Sequence, residues 1–188
     1  MNTRYPAIQI FFHWLSLIFI ALTYLTVNLK GIGHSDGWRN LMMNCHFTLG
    51  ILVFFTVIFR LILRHLYLKQ IPEINPAPPT WQTKSAHYVH LSLYLIFIIL
   101  PILGTLIVLN KGVALPFFGF PIIDGFNADK ALSHTIKEIH ETVANLGLAI
   151  IALHAAAALY HHYLLKDNTL IRMMPRKSKC ATKKLDEQ

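Results

Sequence analysis

Four apolar segments, each about as long as a bilayer is thick, limit what this chain can become. They cover residues 8–27, 45–63, 89–109 and 143–165 and hold few or no charges. Roughly 20 apolar residues in a helix cross a hydrocarbon core of about 30 Å. Inside lipid a helix satisfies its own backbone polar groups, which an open strand cannot do. Hydrophobic residues make up 54% of the 188 and charged residues only 14%, against about 25% charged in an ordinary soluble domain. The expected fold is all-α, an integral membrane four-helix bundle forming one domain over residues 1–176, followed by a basic tail over 177–188. Arg4 before the first apolar run imitates a signal peptide. That run, however, is about 20 residues long, carries Gln9 and His13, and is not followed by a small-residue cleavage site, so it reads as a retained span.

Charge orients the bundle. Four spans put both termini and the middle loop on one side, where twelve of the seventeen lysines and arginines fall beside four carboxylates. The other side carries five cations and five acids, so the whole net charge of +8 lies with the termini. The positive-inside rule places both termini in the cytoplasm. It also accounts for the basic tail, which follows directly on a membrane span. Anionic lipid headgroups explain that tail better than nucleic acid, and no nucleic-acid partner is expected. Cys45 and Cys180 fall on opposite sides of the membrane and cannot form an intramolecular disulfide.

The connections carry less information. Gly31, Gly33 and Gly37 mark a short first loop. Pro72, Pro76, Pro78 and Pro79 predict a stiff, extended inner connector. Pro101 and Gly104 predict a kink in the third span. Residues 110–138, with Phe117, Phe118, Phe120, Ile122 and Ile123, are expected to lie on the outer membrane surface as a cap. Arg60 and Arg64 are expected to snorkel from one end of the second span.

Histidine in a membrane segment is costly unless paired or liganded, so each one is a functional hypothesis. His140 and His154 are fourteen residues apart, which on a helix is about 21 Å and returns to nearly the same face. Ligands stacked at that spacing suit two metal centres, one in each half of the bilayer. By depth, His13 can meet His154 near the inner side, and His46 can meet His140 near the outer side. The spacing invites a diheme membrane cytochrome. Zinc fits less well, because its ligands converge within about 2.1 Å of one ion and fourteen residues of helix separate these two. Two imidazoles on a heme iron leave no open position, which suits electron transfer. Without a Cys-x-x-Cys-His motif, any heme is held noncovalently. Gly147, between the two histidines, and Gly50, one turn after His46, could leave room for a porphyrin, although taken alone they are better explained by close helix packing. His161, seven residues beyond His154, could bond a propionate or a quinone carbonyl, or could simply lie at headgroup level. His87 and His90 compete with His13 but look shallow. His34, His65 and His134 look like loop or surface residues.

The stretch from His140-Glu141-Thr142 through Gly147, then Leu153-His154-Ala155, His161-His162-Tyr163, Lys166-Asp167-Asn168 and Arg172-Met173-Met174-Pro175, resembles the prokaryotic cytochrome b-561 family. Arg4-Tyr5, Gln9-Ile10 and His13-Trp14-Leu15 resemble its first helix. The resemblance covers about residues 4–176. It implies that His13 and His154 ligate an inner heme b, that His46 and His140 ligate an outer one, and that the protein exchanges electrons with ubiquinone in the bacterial inner membrane. Its better-studied members resemble superoxide oxidases, which implies superoxide:ubiquinone oxidoreductase activity. Lys111 and Lys137, with Lys130, would then attract the superoxide anion locally. His161 is the first quinone candidate, with His162, Trp14 and Arg4 behind it. The alternatives are a cytochrome b electron-transfer subunit of a membrane dehydrogenase or hydrogenase, and a non-redox metal carrier. Both a homo-oligomer and a dehydrogenase partner stay admissible.

Overall fold

The computed structural model describes residues 3–33 and 35–175; the basic tail at 177–188 and His34 lie outside the described residues. Four helices form the bundle: α1 (Ala7–Leu29), α2 (Asp36–Leu66), α3 (Thr80–Asn110) and α4 (Lys130–Tyr163). All four are long and apolar enough to cross a membrane. All but α1 run well past the apolar segments that announced them, because polar capping signals lie outside the lipid-facing stretch. Ser35 caps α2 by accepting from the Trp38 amide, and Asp129 caps α4 by accepting from the Leu132 amide. Each supplies the side-chain oxygen that a helix N-terminus needs. Pro6 and Pro79 stand just before α1 and α3, where a missing N–H costs nothing. α3 continues through Pro101 as one helix.

The core is thin. Ile20, Val53, Val57, Ile96, Phe97 and Leu100 form the central cluster, while large apolar side chains such as Phe11 (59% exposed) and Phe55 (62% exposed) face outward. A water-soluble bundle would not leave such a surface; lipid is the partner that covers it. At Gly147 on α4 an added Cβ would lie 3.0 Å from Ile96 Cγ2 on α3 and 3.6 Å from the Tyr24 hydroxyl on α1. Packing, rather than room for a porphyrin, therefore accounts for this glycine.

At the outer end the expected cap contains a β-hairpin, an element that the apolar pattern did not announce. β1 (Leu115–Phe117) and β2 (Phe120–Ile123) pair antiparallel. Phe118 and Gly119 both take positive φ at the turn, at 50° and 84°, the geometry of a two-residue hairpin loop. The Phe118 amide donates to Thr48 Oγ1 on α2 at 3.0 Å, pinning the hairpin over the bundle. Gly125 lies against the backbone of Gly112 so closely that a Cβ would come within 2.4 Å of it.

At the inner end, the segment after α4 folds back over the start of α1. The Tyr5 amide donates to the Arg172 carbonyl (3.1 Å), Trp14 Nε1 to the Met173 carbonyl (2.9 Å) and Arg4 Nη1 to the Pro175 carbonyl (3.1 Å). Asn168 Oδ1 accepts from the Asn75 amide, and buried Arg172 donates to the Pro72 carbonyl, so the proline-rich connector is tied into the same cap.

Candidate cofactor-binding site

α4 carries His140 and His154 on one face, and each meets a histidine from another helix. The His46 and His140 ring centroids are 6.4 Å apart, and so are those of His13 and His154. Two metal–nitrogen bonds of about 2 Å each, plus the two ring radii, require roughly this separation. Longer helices move these residues inward: His46 and His140 lie inside α2 and α4 rather than at their starts. Among the described residues, no group of three or more His, Cys, Asp or Glu could hold a metal ion. Each pair therefore offers two opposed ligands, as a porphyrin iron needs, rather than a tetrahedral cage.

The outer pair flanks a cavity of about 470 Å³, within the range of pockets that hold drug-sized ligands. Ile20, Phe97, Leu100 and Val108 make its walls apolar, while Asn28, Lys30, Lys111, Lys137 and Glu141 line it with polar groups. Gly50 and Gly104 also line it; a Cβ on Gly50 would meet nothing within 4 Å, and one on Gly104 would lie 3.4 Å from His140 Cε1. His46 Nδ1 donates to the Thr23 carbonyl at 3.1 Å, which frees Nε2 and orients the ring as metal-ligating histidines require. His140 Nδ1 is buried near the Leu100 carbonyl but outside hydrogen-bonding geometry. With Nδ1 buried on that side, Nε2 is the His140 ring nitrogen left for a ligand. The residues present thus fit a bis-histidine heme.

The inner pair is more crowded. Arg60, expected to snorkel, instead turns into the bundle. Its Nη1 donates to Ser16 Oγ at 2.8 Å, its Nη2 to His13 Nδ1 at 3.1 Å, and its Cζ lies 5.5 Å from the Tyr94 ring centroid. His90 is not shallow either: its ring centroid lies 5.1 Å from that of His154. Both residues belong to the inner site, and depth along the sequence undervalued them. For Arg60 the available signal was a charge inside an otherwise apolar segment.

The remaining candidates sort by their partners. His161 Nδ1 pairs with Asp167 Oδ2 at 2.5 Å, and Asp167 Oδ1 accepts from the Thr169 amide. Burial pushes the Asp167 carboxyl up, but the bonds from His161 and Thr169 outweigh it and hold the carboxyl below its usual range. His161 is therefore an oriented imidazole at the inner end, joined to the cap that Trp14 and Arg4 also hold. His162 stacks edge-on to Tyr163. At the outer end, Lys137 pairs with Glu141 at 2.9 Å, and among the described residues Lys30 and Lys111 are the cavity's cations outside an ion pair. Lys30 was not among the sequence candidates. His134 and His65 are exposed, on α4 and α2.

Residues 4–176 match the family model described as prokaryotic cytochrome b561. The chain is 42% identical to cytochrome b561 homolog 1 of Escherichia coli K12 over 93% of its own length and 98% of the relative's. It is 36% identical to a protein of Yersinia pestis named probable superoxide oxidase CybB, over 94% and 99%. Cytochrome b561 homolog 2 of E. coli K12 is 29% identical over 93% of both chains.

Proposed function

This chain belongs to the prokaryotic cytochrome b561 family of heme b-binding, multi-pass membrane electron-transfer proteins, and we propose that it is a superoxide:ubiquinone oxidoreductase of the bacterial inner membrane. The reaction is 2 O2•− + ubiquinone + 2 H+ → 2 O2 + ubiquinol. Each superoxide loses one electron, and the quinone gains two electrons and two protons. The observation that carries this reading is the matched pair of opposed histidines, one towards each end of the bundle. The similarity to a protein named as a probable superoxide oxidase supports the choice of donor.

His46 and His140 hold one b heme, and His13 and His154 hold the second. Bound there, the two hemes supply one-electron carriers. Thr23 fixes the His46 ring through its carbonyl. Lys30 and Lys111 draw a small anion towards the outer cavity, while Lys137 contributes less because Glu141 holds its ammonium. With the termini in the cytoplasm, ubiquinone meets the protein at the inner cap beside His161. Asp167 accepts from His161 Nδ1, so Nε2 is the atom through which that ring can offer or take a proton.

The test begins with the dithionite-reduced minus oxidised spectrum and a heme count on purified protein, for which two b hemes per chain are expected. Superoxide consumption with ubiquinone present should then yield one ubiquinol per two superoxides, without the hydrogen peroxide that dismutation releases. Peroxide in place of ubiquinol would sink the assignment.

A further inference from the structure

Arg60 is a charge where lipid-spanning helices rarely tolerate one. It lies towards the inner end of α2, and its guanidinium enters the bundle rather than the headgroup layer. Its partners are all neutral: the Ser16 hydroxyl, His13 Nδ1 and the Tyr94 ring. Among the described residues, no carboxylate comes within 4.0 Å of it. A guanidinium does not deprotonate in proteins, so a full positive charge is stationed beside the His13–His154 pair. Ser16 itself is 1% exposed, which keeps bulk water from screening the contact.

The outer pair is built differently. His46 Nδ1 faces a neutral carbonyl on Thr23. The cations near it are lysines of the cavity lining, Lys30, Lys111 and Lys137, the last paired with Glu141, and water and salt screen them. The two sites thus share their ligands and ring spacing and differ in their charge environment.

We propose that Arg60 makes the inner site the electron sink of the molecule, raising the reduction potential of the group held by His13 and His154 above that of the group held by His46 and His140. This rests on the two-heme reading above. Reduction adds one negative charge to a site, and a nearby cation in a low-dielectric setting favours that charge strongly. Net charge and hydrogen bonding are among the levers by which proteins set such potentials. A guanidinium only donates, so it shares His13 Nδ1 only while that nitrogen is bare. A neutral His13 that gives Nε2 to a metal carries its proton on Nδ1. With Nδ1 protonated the Nη2 bond to His13 is given up, while the Nη1 bond to Ser16 Oγ and the Tyr94 ring still hold the guanidinium beside the pair. The consequence is a downhill direction from the outer face to the inner one.

Redox titration of the purified holoprotein tests this, with hemes per chain counted first and the inner potential identified in a His46→Ala background. Arg60→Gln should lower the inner midpoint potential and leave the outer one in place, while Arg60→Lys keeps both near wild type. Ser16→Asp, which places a carboxylate against the guanidinium, should lower the same potential without removing Arg60 and serves if Arg60→Gln fails to fold. The proposal is overturned if Arg60→Gln leaves the inner potential unchanged or raises it, if both potentials move equally, or if Arg60→Lys shifts it as far as Arg60→Gln. Wild-type protein without two hemes would instead overturn the parent reading, and this proposal with it.

Discussion

The ring of His46 faces that of His140 across the outer cavity at 6.4 Å, and the same centroid distance separates His13 from His154 in the inner half of the bundle. Equal spacing at two sites with different neighbours points to a shared ligand geometry. Replacing His46 or His140 by alanine should leave one heme per chain, and replacing His13 or His154 should remove the other. The pyridine hemochrome assay reads this directly. A variant of either pair that kept both hemes would show that its histidine is not a ligand.

Gly147 and Gly50 should respond in opposite ways to added bulk. A Cβ at Gly147 would lie 3.0 Å from Ile96 Cγ2, whereas one at Gly50 enters open space beside the cavity. Gly147→Val therefore overpacks the α3–α4 contact and should cost about 1–3 kcal/mol, seen as a lower melting temperature in detergent. Gly50→Leu should leave the melting temperature of the heme-free protein nearly unchanged while lowering occupancy of the outer site. Equal loss of stability in the two variants would contradict this division.

Asp167 predicts an acid limb in stability. Burial raises its pKa, but the His161 and Thr169 bonds lower it further, so the folded value lies below the ordinary one. A depressed carboxyl contributes stability above its unfolded pKa of about 3.9 and loses it as pH falls from there through the lower folded value. Asp167→Asn should cost about 1–3 kcal/mol at neutral pH, the scale of a buried charged hydrogen bond lost. It should also flatten the melting-temperature profile below about pH 5. A variant with an unaltered acid limb would refute this. The same substitution should slow ubiquinone reduction with both hemes retained if His161 serves the quinone.

The cavity lysines are ranked by their partners. Lys137 is held by Glu141 at 2.9 Å, while Lys30 and Lys111 line the cavity outside any such pair among the described residues. Lys111→Gln should reduce the rate with superoxide by several-fold and weaken its dependence on ionic strength, as expected when a steering charge is removed. Lys137→Gln should have a smaller effect, and Glu141→Gln should raise the rate by freeing the Lys137 ammonium. Stopped-flow rates at two salt concentrations would show the order, and a larger effect at Lys137 would reverse the ranking.

Four spans and the histidine stacking were legible in the sequence because both follow from local periodicity: apolar run length for the spans, fourteen residues of helix for His140 and His154. Helix ends were less legible. Ser35 and Asp129 sit outside the apolar stretches, so hydropathy alone began α2 nine residues late and α4 thirteen residues late. The hairpin at Leu115–Ile123 has no clear strand signal, because Pro116 and Pro121 obscure the strand pattern while Phe118-Gly119 closes the turn. Arg60 was misplaced for a different reason. A cation near a helix end ordinarily reaches for headgroups, and only the positions of Ser16, His13 and Tyr94 on other helices turn it inward. Such cross-helix relations have no local signature.

That both histidine pairs draw a member from α4 bears on how the molecule is made. His13 and His46 precede α4 in the chain, so each pair joins an earlier residue to one on α4. Neither pair can close on a half-built chain. A chain cut short after α3 would carry neither finished pair.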